Sequence, residues 1–155
     1  MKITLKNFKH ANFASEETYC FEATVYIDGK KAGFANNSGH GGSTDVSLDA
    51  PFRHLDTPEN DLEGKVDAEC HKLVCEKQDK AILNGVKRDL AKNILFLRKG
   101  DKAGGVRIYR NAVGTPAEAG IYAKLKADPT VEVIFNHLPL EEAAKKMHPV
   151  YGSLV

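Results

Sequence analysis

A stretch rich in glycine and asparagine, FANNSGHGGSTDV at residues 34–46, carries residue types that bind small polar ligands. Glycines permit positive φ and close backbone approach, and successive N–H groups in such a loop form a concave anion site. The candidate ligand-binding residues of this loop are Asn36, Asn37, Gly39, His40, Gly41, Gly42 and Ser43. Asn, Gly and Ser are also typical of exposed loops, and neither GxxxxGK[ST] nor GxGxxG is present, so a plain turn is the favoured interpretation.

A second candidate group, Arg53 and His54 in FRHLDTP, lies immediately before a predicted helix. The first N–H groups of a helix are unpaired and carry partial positive charge, so an anion binds there readily. If the glycine loop folded back onto this end, His40 would complete a pocket with Arg53 and His54. A nucleotide- or phosphate-binding protein, or one that hydrolyses such ligands, would use this pocket. Local capping with an exposed His54 is the simpler interpretation and is favoured.

The predicted long helix carries Asp67, His71 and Cys75 at i, i+4 and i+8, and therefore on one face. These residue types occur in nucleophile constellations and in zinc sites. The outer two are about 12 Å apart along the helix axis, however, and further metal ligands are not evident. We favour a solvated helix face and assign no catalytic residue, no metal and no cofactor. Whether the protein is an enzyme stays open, and the residues favour a protein that is not one.

The basic segment RKGDKAGGVRIYR is a candidate binding site for a third kind of ligand, a nucleic acid. A strand that carries arginine and tyrosine on one face can stack on and pair with nucleic acid or a nucleotide. The candidate nucleic-acid-binding residues are Arg98, Lys99, Arg107, Tyr109 and Arg110. The competing and favoured interpretation is a hairpin whose edge is kept soluble by basic side chains.

These candidate residues depend on elements that the periodicity predicts. CFEATVYI (20–27) alternates like a strand, and Asp28-Gly29 predicts a hairpin with KAGFAN. Thr57-Pro58 opens an amphipathic helix over roughly residues 58–83, with Asn84-Gly85 as its end. Further strands are predicted at 2–8, 93–100, 104–111 and TVEVIFN, and shorter helices in TPAEAGIYAKLKAD and PLEEAAKKM. The predicted fold class is α+β, a largely antiparallel sheet of about six strands with one long and two shorter helices packed on it, in a single domain of residues 1–155.

Composition narrows the class of protein. The net charge of +1, from 22 basic and 21 acidic residues, argues against a globally charged nucleic-acid or membrane binder. No apolar run approaches the roughly 20 residues of a membrane span, and MKITLKNFKH lacks the apolar core of a signal peptide. Three cysteines without a CxxC favour reduced thiols. We predict a cytoplasmic protein without a membrane partner, either a monomer or a small homo-oligomer.

KITLKNFKHANFASEETYCFEATVYIDGKKAG with the following GHGG resembles the start of short bacteriophage and prophage accessory proteins of unassigned function. ILFLRKGDKAGGVRIYR, the next Thr-Pro helix and VEVIFN are similar to the end of such proteins. The resemblance implies a setting in the host cell cytoplasm. It also implies a function: binding a host bacterial protein or complex and inhibiting or redirecting it, with anti-CRISPR or anti-restriction activity as the expected type. A nucleotide-binding and a nucleic-acid-binding protein are the alternatives.

Overall fold

The computed structural model describes residues 1–102 and 105–152. The chain divides into two compact units, Met1–Cys75 (the first unit) and Glu76–Val155 (the second unit). The α+β prediction is confirmed, with the strands divided between a four-stranded and a three-stranded antiparallel sheet. The expectation of a single domain stays a prediction. Within the described ranges, no helix combines the length and apolar character that crossing a membrane requires.

The first unit is built on an antiparallel meander. Alternation in CFEATVYI is confirmed, because Phe21, Ala23, Val25 and Ile27 are all buried on one side of their strand. The predicted Asp-Gly turn is also confirmed, with φ of 47° at Asp28 and 82° at Gly29. The strands are β1 (Ile3–His10), β2 (Phe21–Ile27), β3 (Lys30–Asn37) and β4 (Asp45–Leu48), in spatial order β1-β2-β3-β4.

One face of this sheet is covered by the beginning of the long helix α1 (Leu62–Lys92). Leu62, Val66, Cys70 and Val74 recur at every fourth position and pack with the buried strand residues in a single apolar core. Cys70 belongs to this core, and its exposure is 1%.

The predicted bounds of this helix were wrong at both ends. Pro58–Asn60 forms a separate 3-10 turn, and Asp61, with φ of 43°, separates that turn from α1. At the other end α1 continues through Asn84-Gly85 as far as Lys92. A glycine inside a helix costs only about 1 kcal/mol, and burial of Val86 in the core of the second unit offsets that cost.

The second unit places helices on both faces of a short sheet. Ile94 and Phe96 pack with Leu125 in one core, while Leu95 packs with Phe135 in another. The strands are β5 (Ile94–Arg98), β6 (Arg107–Tyr109) and β7 (Val131–Ile134), in order β6-β5-β7, and the helices are α2 (Glu118–Ala127) and α3 (Leu140–Met147). The predicted strand 104–111 is shorter than expected, and residues 103–104 of its turn lie outside the described residues.

Candidate functional site

Asn37 is the centre of the glycine loop, and its side chain is used within the protein. It is 7% exposed at the end of β3. Its Oδ1 accepts hydrogen bonds from Thr18 Oγ1 at 2.9 Å and from the Gly39 amide at 2.8 Å. Its Nδ2 donates to the Gly42 carbonyl at 2.9 Å and to Thr44 Oγ1 at 3.0 Å. Asn37 therefore fixes the loop, and its amide group is not available to a ligand without breaking these bonds.

Successive amides of the β1–β2 loop form a concave nest of donors, but they already bind a backbone carbonyl of the glycine loop. The N–H groups of Glu16 and Glu17 donate to the Gly39 carbonyl at 3.0 Å, and that of Thr18 donates to it at 3.3 Å. The Gly41 amide in turn donates to Thr18 Oγ1 at 3.4 Å. The β1–β2 loop and the glycine loop are thus joined by their backbones into one ordered end of the first unit.

The other predicted ligand residues have separate surroundings. His40 has a side chain that is 60% exposed, and its Nδ1 lies 3.3 Å from Glu16 Oε2. Arg53 Nε donates to the Leu48 carbonyl at 3.4 Å, and His54 is exposed. Within the described ranges no hydrogen bond joins His40 to either residue. Asn36 pairs with Asp45 across the sheet, and Ser43 is exposed.

Carboxylates surround the start of α1, where the sequence suggested an anion site. A cavity of about 460 Å³ beside this end is lined by residues that include Asp56, Asp61 and Glu63. Asp61 Oδ1 accepts the Gly64 amide at 3.2 Å, and Glu63 Oε1 accepts the Thr44 amide at 3.0 Å. Because Asp61 already accepts a helix amide and the other two carboxylates add negative charge, these groups oppose a phosphate at this position.

Asp67, His71 and Cys75 lie on one side of α1, as predicted, and His71 contacts Cys75. Cys75 Sγ lies 3.6 Å from His71 Nε2, and the Tyr19 hydroxyl lies 3.0 Å from His71 Nδ1. Asp67 accepts a hydrogen bond from the Thr44 hydroxyl at 2.6 Å. Asp67 and His71 are exposed whereas Cys75 is only 1% exposed, so the predicted solvated face ends before Cys75. No cluster of three metal-ligating side chains occurs among the described residues.

A cavity of about 260 Å³ adjoins this group. Its lining residues are Thr18, Tyr19, Phe21, Asn37, Gly42, Asp67, Cys70 and His71. Burial, with a contribution from Asp67, raises the pKa of the Cys70 thiol to about 12. Burial also raises the pKa of Tyr19, with smaller contributions from Cys75 and Cys70. Both groups therefore stay protonated near neutral pH.

The most exposed large apolar side chain of the described residues is that of Phe13. It is 94% exposed and lies in the 3-10 turn Asn12–Ala14 of the β1–β2 loop. Ser15 closes the base of this turn, because its hydroxyl donates to the Ala11 carbonyl at 2.9 Å and accepts the Cys20 amide at 2.9 Å. The sequence offered only a weak signal for Phe13, a single aromatic residue among polar ones in a segment without strand periodicity.

A cavity of about 550 Å³ lies beside the same loop. Its lining includes Lys9, His10, Ala11, Cys20, Phe34 and Asn36. Phe34 is 44% exposed, which adds a second accessible aromatic ring. We use the name loop-end surface for Phe13, Phe34 and this cavity.

Acidic side chains neutralise much of the predicted basic segment. Arg107 donates from Nε and Nη2 to both carboxylate oxygens of Asp101, at 2.9 and 2.8 Å. Arg98 Nη2 pairs with Asp128 Oδ2 at 2.9 Å. The Tyr109 ring stacks on Phe96 with 5.5 Å between ring centroids. Lys99 and Arg110 are exposed.

The Asp101–Arg107 pair gives a prediction about pH. Hydrogen bonds from Arg107 and from the Arg98 backbone lower the pKa of Asp101 from 3.8 to about 2. The folded protein therefore binds this proton more weakly than the unfolded chain. The stabilisation is present above the ordinary carboxyl pKa and is lost as the pH falls through about 2. We expect an NMR titration of the Asp101 carboxyl carbon to show this low midpoint. In Arg107→Gln the midpoint should move towards 3.8; an ordinary midpoint in the parent protein would contradict the pairing.

Comparison with known proteins gave no match to any protein-family model, curated protein or solved structure. Inference about function therefore depends on the residues and contacts above. The nucleotide and nucleic-acid alternatives stay predictions, with several of their expected donors occupied by the protein itself.

Proposed function

We propose that this chain is a protein-binding module of the phage accessory type. It would act in the host cytoplasm by binding a host bacterial protein and inhibiting or redirecting it, with an antiviral defence component as the favoured class of target. The observation that best supports this proposal is Phe13, which is 94% exposed on a loop held by backbone hydrogen bonds.

An exposed phenylalanine on an ordered loop suits protein recognition energetically. Full burial of such a side chain contributes about 1.5–3 kcal/mol. Because the Ser15 bonds and the amides that meet at Gly39 already order the loop, binding loses little further backbone entropy. Large side chains of this kind at the centre of an interface supply a large share of its binding energy.

The cavity beside the loop supplies the complementary feature. The Phe13 side chain projects into solvent. The cavity of about 550 Å³, with Phe34 in its lining, is large enough to accept a side chain of a partner. Protein partners fit such surfaces because they bring both projecting side chains and recesses. The rim is polar, with Lys9 Nζ 3.5 Å from Glu22 Oε2, as is typical around an apolar interface core.

Charge favours a protein over a nucleic acid or an anionic membrane. Glu16 and Glu17 follow Phe13 closely in the same loop, and both are exposed. Lys9 Nζ lies 3.5 Å from the Glu22 carboxylate, and the His40 ring lies 3.3 Å from that of Glu16. A phosphate-rich partner would therefore meet the exposed carboxylate of Glu17 near Phe13.

The test begins with the partner that the tagged protein captures from a lysate of phage-infected bacteria, which is then purified. Its affinity for the parent and for Phe13→Ala is measured by isothermal titration calorimetry. We expect the affinity to fall about 10–100-fold, with unchanged circular dichroism, because Phe13 is not in any core. Ile108→Ala is the matched control, since Ile108 is also exposed, at 43%, but lies in the second unit.

Two results would overturn the proposal. One is a partner that binds Phe13→Ala as tightly as it binds the parent protein. The other is a lysate from which the parent protein captures no protein in larger amount than Phe13→Ala does.

A further inference from the structure

The Tyr19–His71–Cys75 group is a connected set of titratable side chains that protein binding does not require. One helical turn separates His71 from Cys75, which brings the imidazole Nε2 to 3.6 Å from the thiol sulfur. Tyr19, two residues before β2, reaches the other ring nitrogen at 3.0 Å. The two rings pack at 5.8 Å between centroids, which restricts rotation of the imidazole.

We propose that Cys75 is a peroxide-reactive thiol for which His71 is the base and Tyr19 the positioning residue. His71 Nε2 takes the thiol proton, and the sulfur electron pair attacks one oxygen of a hydroperoxide. The O–O bond breaks, and the leaving hydroxide or alkoxide takes a proton from the imidazolium. The sulfur is oxidised from a thiol to a sulfenic acid, and the peroxide is reduced to water or an alcohol.

The neighbouring cavity provides room for a small oxidant at this group. Tyr19 and His71 both line the space of about 260 Å³, and Cys75 Sγ, which is not in the lining, lies 3.6 Å from the imidazole Nε2. Hydrogen peroxide is only slightly larger than water, which occupies about 30 Å³ in the liquid. A bulky thiol reagent would not have the same access, because Cys75 is 1% exposed.

The same helix contains an internal control. Cys70 is as buried as Cys75, with 1% exposure, and it lines the cavity directly. Its pKa of about 12 keeps it protonated, and a thiol is a far weaker nucleophile than a thiolate. If access to the cavity decided the rate, peroxide would react faster with Cys70. If activation by an imidazole decides it, peroxide reacts faster with Cys75.

Peroxide treatment with residue-specific trapping tests the proposal. The purified protein is exposed to hydrogen peroxide with dimedone, which labels sulfenic acids, and each cysteine is quantified by mass spectrometry. We expect Cys75 to be labelled at least about tenfold faster than Cys70, because reaction follows the thiolate fraction. His71→Gln should remove that preference. Tyr19→Phe should reduce it by a smaller factor and leave Cys70 labelling unchanged.

Equal labelling of Cys70 and Cys75 in the parent protein would overturn the proposal, because it would indicate access through general unfolding. Fast Cys75 labelling that persists in a folded His71→Gln would also overturn it. If that variant does not fold, the ratio in the parent protein decides the question. The outcome is independent of partner binding, since neither Phe13 nor Phe34 takes part.

Discussion

Replacing Gly39 with alanine is expected to destabilise the protein by roughly 2–6 kcal/mol, from backbone strain and overpacking together. Gly39 has φ of 90°, which disfavours any side chain. An added Cβ would overlap the Ala14 carbonyl oxygen and lie 2.9 Å from Cys20 Cβ. Because the overlapping atom belongs to the backbone, the β1–β2 loop would have to move. Urea denaturation followed by circular dichroism measures the loss.

Gly29→Ala is the matched control for this change. Gly29 has a similar φ of 82°, but an added Cβ would have no atom within 4 Å. We expect a loss of only about 1–2 kcal/mol there, from the left-handed backbone alone. Equal losses at the two glycines would show that the close approach of the two loops contributes nothing to stability.

Phe135→Ala is expected to cost about 3–5 kcal/mol. Phe135 is 0% exposed and is among the largest fully buried side chains of the described residues. It packs with Val86 and Leu95 in the core between the sheet of the second unit and its helices. Removing the ring leaves a cavity that the surrounding backbone cannot fill, because the next residue, Asn136, is fixed by bonds to the Leu90 and Asn93 carbonyls.

The same substitution at Phe13 is the control for Phe135→Ala. Because Phe13 is 94% exposed, Phe13→Ala should change the free energy of unfolding by less than about 0.5 kcal/mol. Thermal denaturation of both variants gives the comparison. A Phe135→Ala protein as stable as Phe13→Ala would contradict the assignment of Phe135 to the core.

Local patterns in the sequence predicted much of the fold. Alternation in β2 and the Asp28-Gly29 turn depend on neighbouring residues alone, so both were confirmed. The end of α1 was wrong because Asn84-Gly85 is a local stop signal, while Val86 beyond it is held by a core formed with distant residues. Division of the strands into two sheets also depends on long-range pairing, which periodicity does not encode.

The glycine loop shows the same limit at the candidate site. Its composition identified an irregular segment with many polar groups. The partners of those groups could not be predicted, since Thr18 reaches Asn37 from another loop and Thr44 reaches Asp67 on α1. Tyr19 was likewise absent from the predicted site, although its contact with His71 is the one that extends the cysteine–histidine pair.

An NMR titration is the most direct test of the loop-end surface. The ¹⁵N-labelled protein is titrated with the purified partner, and backbone amide shifts are followed residue by residue. We expect the largest changes at residues 9–22 and 34–38, which carry Phe13, Phe34 and the cavity that Phe34 lines. Unchanged signals there, with the largest shifts at Arg107–Tyr109 in β6, would contradict the proposed surface.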